Sequence, residues 1–155
     1  MRSGRRLAVD VGKVRVGLAI SDFHGILASP LQNVNRQEDD AATIAALIQA
    51  IAGEEIIEVY FGLPVSMSGK SSASTDDAIA LAQAFRSASS IPVRMIDERL
   101  TTVSATSALR SSGKNSKEGR KVIDQIAATM ILEQALTTEK NLGQSPGVPL
   151  EELNV

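Results

Sequence analysis

A chain of 155 residues with 43% apolar content is long enough for one domain with a substantial core. Aromatics make up only 3% of it, cysteine is absent and histidine occurs once; base-stacking platforms are therefore scarce, and disulfides, thiolate zinc sites, cysteine nucleophiles and three-histidine metal sites are excluded. The net charge of −2 argues mildly against a polyanion partner, so the placement of the charges has to decide.

The chain opens with an apolar run over residues 6–11 and a second over 14–21, joined at Gly12. These read as two strands with a tight turn, and Asp10 stands where the first strand meets that turn. A turn at Asp22-Phe23-His24-Gly25 leads to a third strand near residues 28–34. Short links between three sequential strands imply an antiparallel meander. Asn35, three residues before Glu38, predicts a helix cap, followed by Ile44, Leu47, Ile48 and Ile51 at helical spacing and a stop at Gly53. Residues 56–61 form a nearly continuous apolar run, as expected of a strand covered on both faces.

The loop Gly62 to Ser72 precedes a second helix, with Ser74 and Asp77 as its predicted cap and Ala78, Leu81, Ala82 and Phe85 as its face. Residues 91–97 make a fifth strand. A short helix is predicted from Thr101 or Thr102 to Ser112-Gly113. The last helix opens at Asn115 with Glu118, and its stripe is Val122, Ile123, Ile126, Ala127, Met130 and Ile131. From about Thr138 the pattern gives way to Gly, Pro and acids, which predicts a flexible tail over residues 138–155. The order is an α/β arrangement: a mixed five-stranded sheet, three strands antiparallel and two parallel, with helices on both faces.

Charge is unevenly spread along this frame. Arg94, Arg99, Arg110, Lys114, Lys117, Arg120 and Lys121 cluster in one stretch, and Arg2, Arg5, Arg6, Lys13 and Arg15 add to them from the N-terminus. A basic face on an acidic protein is an electrostatic footprint for nucleic acid, although a solvated helix face explains any single one of these charges. No apolar run approaches the roughly 20 residues needed to cross a bilayer, and Asp10 and Lys13 interrupt the stretch after the basic start. The expectation is a cytoplasmic protein without membrane contact.

Three carboxylates are candidates for one site. Glu98 lies just past the carboxyl end of the fifth strand, the rim where open α/β sheets form ligand crevices. With the first strand central and parallel to the fourth and fifth, Asp10 emerges on the same rim. Asp124 borders the apolar stripe of the last helix beside the small residues Ala127 and Ala128. A carboxylate there carries a desolvation cost, relieved by a cation, by protonation, or by pairing with Lys117 or Lys121. Oxygen ligands without histidine or cysteine suit magnesium or manganese, and paired ions of this kind support in-line phosphoryl displacement. Gly69-Lys70-Ser71 is not a nucleotide-binding loop, because that motif needs a glycine where Pro64 stands. Asp10-Val11-Gly12 also matches the first phosphate loop of actin-like kinases, which need two such domains where this chain has length for one.

The segments Asp10-Val11-Gly12-Lys13-Val14-Arg15-Val16-Gly17, Gly62-Leu63-Pro64, Asp97-Glu98-Arg99-Leu100-Thr101-Thr102-Val103 and Asp124-Gln125-Ile126-Ala127-Ala128 resemble the YqgF family, also called RuvX, over residues 5–136. The resemblance implies an RNase H-like fold, with residues 1–137 as a single nuclease domain. It further implies a Mg2+- or Mn2+-dependent nuclease trimming the 5′ end of pre-16S ribosomal RNA, in a family first described as Holliday junction resolvases. Under it Asp10, Glu98 and Asp124 are the catalytic metal ligands. Asp97 stands as a substitute for Glu98, since strand alternation lets only one of the two face the rim. The wider RNase H-like group often carries an acid at the end of the fourth strand, where this chain has Tyr60-Phe61-Gly62. Arg99, Arg110, Lys114, Lys117, Arg120 and Lys121 would track the phosphate backbone, with Lys13 and Arg15 on the opposite bank and Thr101 and Thr102 binding phosphate at a helix start. The expected partner is an rRNA precursor or branched DNA. The rival reading is a catalytically silent RNA-binding or transcription-associated factor using the same basic face.

Overall fold

The computed structural model describes residues 1–66, 68–100 and 117–153, with the backbone alone for residues 100 and 117–124. The strands are β1 (Arg5–Val11), β2 (Arg15–Ser21), β3 (Ala28–Asn35), β4 (Ile56–Leu63), β5 (Val93–Asp97) and β6 (Val148–Pro149). The helices are α1 (Asp40–Ala50), α2 (Ala73–Ala88) and α3 (Lys117–Leu142), with 3-10 turns at Glu98–Leu100 and Leu150–Glu152.

One sheet in the order β3-β2-β1-β4-β5-β6 holds the chain together. β1, β2 and β3 form the expected antiparallel meander, and β4 and β5 run parallel to β1. The carboxyl ends of β1, β4 and β5 therefore open on one rim. Alternation in β1 divides the molecule into two layers. Leu7 and Val9 pack with Ile44 and Leu47 of α1 and Leu81 and Phe85 of α2. Ala8 faces the other way, with Ala19, Tyr60 and Ile96, against Ala128, Ile131, Leu132 and Ala135 of α3. Alanines on both partners let α3 lie close to the sheet.

Six strands are present among the described residues where the sequence predicts five. The helical segment continues beyond Thr138 to Leu142, and residues 148–149 pair antiparallel with β5. Glycines with left-handed backbone, Gly143 at φ +70° and Gly147 at φ +73°, turn the chain back. At Gly147 a Cβ would stand 2.3 Å from the Met95 carbonyl oxygen, so only glycine fits. Arg94 donates to the carbonyls of Pro146 and Gly147, and Leu150 is buried in the α1/α2 layer. The segment covers the free edge of β5.

Helix starts also differ from expectation. Asp39, not Asn35, caps α1 by accepting from the Ala42 N–H at 2.8 Å. Ser72, not Ser74, caps α2 in a reciprocal box with Thr75. The short helix predicted from Thr101 lies outside the described residues. In α3 the buried stripe is Ala128, Ile131, Leu132, Ala135 and Leu136, whereas Ile126, Ala127 and Met130 are only half-buried.

The N-terminal arginines do not add to a nucleic-acid face as a group. Arg6 has no exposed surface; its Nη2 pairs with Glu139 of α3 at 2.8 Å. Arg2 donates from Nη2 to Glu139 at 2.6 Å and to Glu58 of β4 at 2.8 Å. Both sit at the amino end of β1, remote from Asp10, and they fasten the C-terminal half of α3 to the sheet. Burial alone would raise the Glu139 carboxyl, but hydrogen bonds from Arg2 and the charge of Arg6 outweigh it and hold it at about 2, below its ordinary 4.5. A depressed carboxyl adds stability above the unfolded value and loses it as pH falls through the folded one. Thermal stability is thus expected to be level above about pH 5 and to fall steeply between about 4.5 and 2. Melting curves of the wild type across that window, compared with Glu139→Gln, test this. The variant should show a shallower acid loss.

Candidate active site

Asp10 sits half-buried near the end of β1, on the face that carries Ala8 and looks toward α3. Its cross-strand partner on β2 is Gly17. On the other side, β1 and β4 are in register through Val9↔Phe61, so the next residues along, Asp10 and Gly62, stand side by side at a strand spacing of about 5 Å. Asp10 is therefore flanked by two glycines.

Glu98 fills the space above Gly62. A Cβ added to Gly62 would lie 3.1 Å from both Cδ and Oε1 of Glu98, and 2.7 Å from the Cδ1 methyl of Ile131 in α3. The missing side chain at Gly62 is what lets the Glu98 carboxylate lean back over the end of β4 toward Asp10. The two acids predicted to converge thus come onto one face of one rim, although they are 88 residues apart in sequence.

Asp97 has a different occupation. It closes the ladder opposite Leu63, and its carboxylate takes the guanidinium of Arg99, with Nη2–Oδ2 at 2.5 Å, Nε contacts at 3.0 and 3.1 Å and the Arg99 backbone N–H at 2.9 Å. These hydrogen bonds hold the Asp97 carboxyl below its ordinary range. Of the adjacent acids, Glu98 is the one set against Gly62. Arg99 remains exposed at the rim but is engaged with Asp97.

Asp124 belongs to α3, four residues before Ala128 and seven before Ile131, along the line of the helix that meets the sheet. The neighbouring Gln125 donates from Nε2 to the Leu31 carbonyl of β3 at 3.1 Å. This fixes that part of α3 over β3. The side chain of Asp124 and those of Lys117, Arg120 and Lys121 are outside the described residues, as are Thr101, Thr102, Arg110 and Lys114 entirely. Among the described residues no three acids, histidines or cysteines form a group able to hold a metal. Two hard carboxylates, one on β1 and one in the 3-10 turn that follows β5, nevertheless match the oxygen donors that magnesium and manganese require. His24 is remote, exposed in the β2–β3 turn with its ring edge-on to Phe23.

Lys13 is exposed in the β1–β2 turn, and Arg15 is half-buried at the start of β2. The turn is tight: the Gly12 N–H donates to the Arg15 carbonyl at 3.0 Å, and a Cβ at Gly12 would come within 2.4 Å of that oxygen. Arg36, which sequence reasoning did not single out, and Asp77 hold it from behind. Arg36 donates to the Gly12 carbonyl at 3.0 Å and forms a two-pronged pair with Asp77 of α2 at 2.9 and 3.1 Å. Asp77 reads as a cap acid in the sequence; the structure gives it to Arg36. Gly17 and Gly62 lie within the family-like segments, and their value shows only once the strand register is known.

Several known proteins are similar to this chain. The chain is 50% identical over 151 residues to a protein of Leifsonia xyli subsp. xyli described as "Putative pre-16S rRNA nuclease", covering 97% of each. Proteins with the same description from Streptomyces avermitilis and Mycobacterium sp. (strain KMS) are 47% and 42% identical, with 97% and 86% of their lengths covered. Among solved structures, T. thermophilus RuvC in complex with Holliday junction substrate superposes with a TM-score of 0.55 at 11% identity, covering 94% of this chain and 99% of that one. The fold is thereby RNase H-like. The family model for RuvX, described as Holliday junction resolvase, matches residues 4–138. With the match running from the first strand through the last helix, and with relatives of that identity along nearly their whole length, this chain belongs to the RuvX family.

Proposed function

We propose that the chain is a divalent-cation-dependent phosphodiesterase that trims the 5′ end of precursor 16S ribosomal RNA in the cytoplasm. The observation that carries this reading is the Glu98 carboxylate lying over Gly62 on the same face and rim as Asp10. The names of the relatives supply the substrate.

Asp10, Glu98 and Asp124 would hold Mg2+ or Mn2+. When bound, such ions activate water and neutralise charge building on the phosphoryl oxygens. The protein's own contribution is placement. Pairing with Gly17 of β2 fixes the backbone of Asp10, one residue past the last β1–β4 pair, Val9↔Phe61, and Gly62 sets the depth of Glu98. α3 is anchored at one end by Arg6–Glu139 and near the other by Gln125. Lys13 and Arg15 would meet backbone phosphates from the β1–β2 side. Arg99, Thr101, Thr102, Arg110, Lys114, Lys117, Arg120 and Lys121 are proposed for the opposite bank.

Gly62→Val gives a direct check on that placement. Valine suits a strand, but its side chain needs the volume held by Glu98 and Ile131. Displacing a catalytic carboxylate by about 1 Å is expected to cost on the order of 100-fold in cleavage rate. Circular dichroism should still report a folded protein; a rate within threefold of wild type would remove Glu98 from the site.

Branched DNA is the second reading, favoured by the description of the family. Purified protein incubated with 5′-extended 16S RNA, mature 16S RNA or a four-way DNA junction, with Mn2+ or EDTA, separates the alternatives. Metal-dependent shortening of the extended RNA alone is expected. Cleavage of the junction alone moves the assignment to DNA, and tight binding with no cleavage of either makes the protein a binding factor.

A further inference from the structure

The β1–β2 turn carries Lys13 beside the carboxylate rim. A clamp on that turn comes from the opposite side of the sheet, where α1 and α2 pack. The Arg36 backbone N–H donates to the Val14 carbonyl at 2.9 Å, extending the β2–β3 ladder one step past its last pair, Arg15↔Asn35. Its guanidinium then reaches the Gly12 carbonyl at 3.0 Å, Asp77 through both oxygens at 2.9 and 3.1 Å, and Asp40 at 3.1 Å. Only 17% of the side chain is exposed. One residue therefore grips both ends of the turn and ties them to the first turns of two helices. A guanidinium suits this task, because its planar fork can serve a carbonyl and two carboxylates together.

We propose that Arg36 is a positioning residue for nucleic-acid binding: it fixes the β1–β2 turn from behind the sheet so that Lys13 meets a backbone phosphate. Arg36 touches no substrate; it acts through the Gly12 carbonyl. Asp10 lies inside the β1 ladder and keeps its place without Arg36, so loosening the turn affects affinity and spares the chemical step. The inference rests on the nucleic-acid-binding role proposed above for the rim and for Lys13.

The test measures Kd by fluorescence anisotropy for a single-stranded RNA covering the extended 16S 5′ end, over a series of salt concentrations. The proteins are wild type, Arg36→Gln, Asp77→Asn, Lys13→Ala and the double variant Lys13→Ala/Arg36→Gln. Thermal melting checks folding, and amide exchange at Gly12 reports the turn. Arg36→Gln is expected to weaken binding about five- to tenfold and to lower the salt slope by roughly 0.7, the value for one phosphate contact on a single strand. Lys13→Ala should do the same, and the double variant no more than either alone. Asp77→Asn should show a smaller loss of the same kind, which keeps the test alive if Arg36→Gln folds poorly. Gly12 exchange should quicken in both clamp variants. Where kinetics are measured, KM should rise with kcat within twofold. Binding by folded Arg36→Gln and Asp77→Asn within twofold of wild type overturns the proposal, as does additivity in the double variant. Failure of the wild type itself to bind RNA is a different result, and it removes the reading of the rim instead.

Discussion

Asp10→Asn is expected to reduce cleavage of extended 16S RNA on the order of 1000-fold, about 4 kcal/mol in barrier height, while leaving the fold and RNA binding in place. Asparagine keeps the shape of the side chain and loses only the charge that would hold a cation. The position is suited to that change: the backbone of β1 is paired on both sides, and Gly17, across the ladder from Asp10, carries no side chain. Removing one of two neighbouring carboxylates also relieves repulsion between them and between them and phosphate, so affinity for RNA is expected to hold or rise. Cleavage assays with matched binding curves check both halves. Unchanged cleavage would contradict the carboxylate mechanism, and an equal loss of binding and cleavage would point to a structural role for Asp10.

The largest loss of stability is expected at the opposite end of the molecule. Glu139→Ala strands the fully buried Arg6 and its neighbour Arg2 without their shared acceptor. Breaking one side of a buried ion pair costs about 3–5 kcal/mol, because the remaining charge has lost both water and partner. For a domain of this size that corresponds to a fall in Tm of roughly 10 °C or more. Arg6→Met in the Glu139→Leu background, which removes both charges, should recover most of that loss. Denaturant melts of the single and double variants measure it. A Tm for Glu139→Ala within about 2 °C of wild type would mean the pair contributes little.

Much of the frame is legible in the sequence because it follows local rules. The apolar runs of β1 and β2 about a glycine turn, the continuous apolar run of β4 and short links between the first three strands lead directly to the observed meander and its parallel extension. Strand alternation places Arg6, Ala8 and Asp10 on one face, so both the anchor and the candidate site of α3 are written into five residues. What escapes local reading depends on distant partners. β6 is two residues long and contains proline; its place follows from Arg94 reaching the Pro146 and Gly147 carbonyls, which no nearby pattern signals. The buried stripe of α3 runs through alanines because the sheet opposite presents Ala8 and Ala19, so the larger side chains Ile126 and Met130 are not its centre. Asp77 has the spacing of a cap acid and is claimed instead by Arg36, 41 residues away.

The candidate site divides in the same way. Asp10 and Glu98 are legible because each follows a predicted strand toward one rim. The choice of Glu98 over Asp97 needs the structure, which gives Asp97 to Arg99 and sets Glu98 over a glycine.

Anomalous diffraction from crystals soaked in Mn2+ tests the central claim most directly, since it locates the ion without reference to activity. An anomalous peak within about 2.5 Å of carboxylate oxygens of both Asp10 and Glu98, absent from Asp10→Asn crystals, is the predicted result. Manganese bound only elsewhere on the protein, with the space between Asp10 and Glu98 bridged by a lysine or arginine, would contradict it.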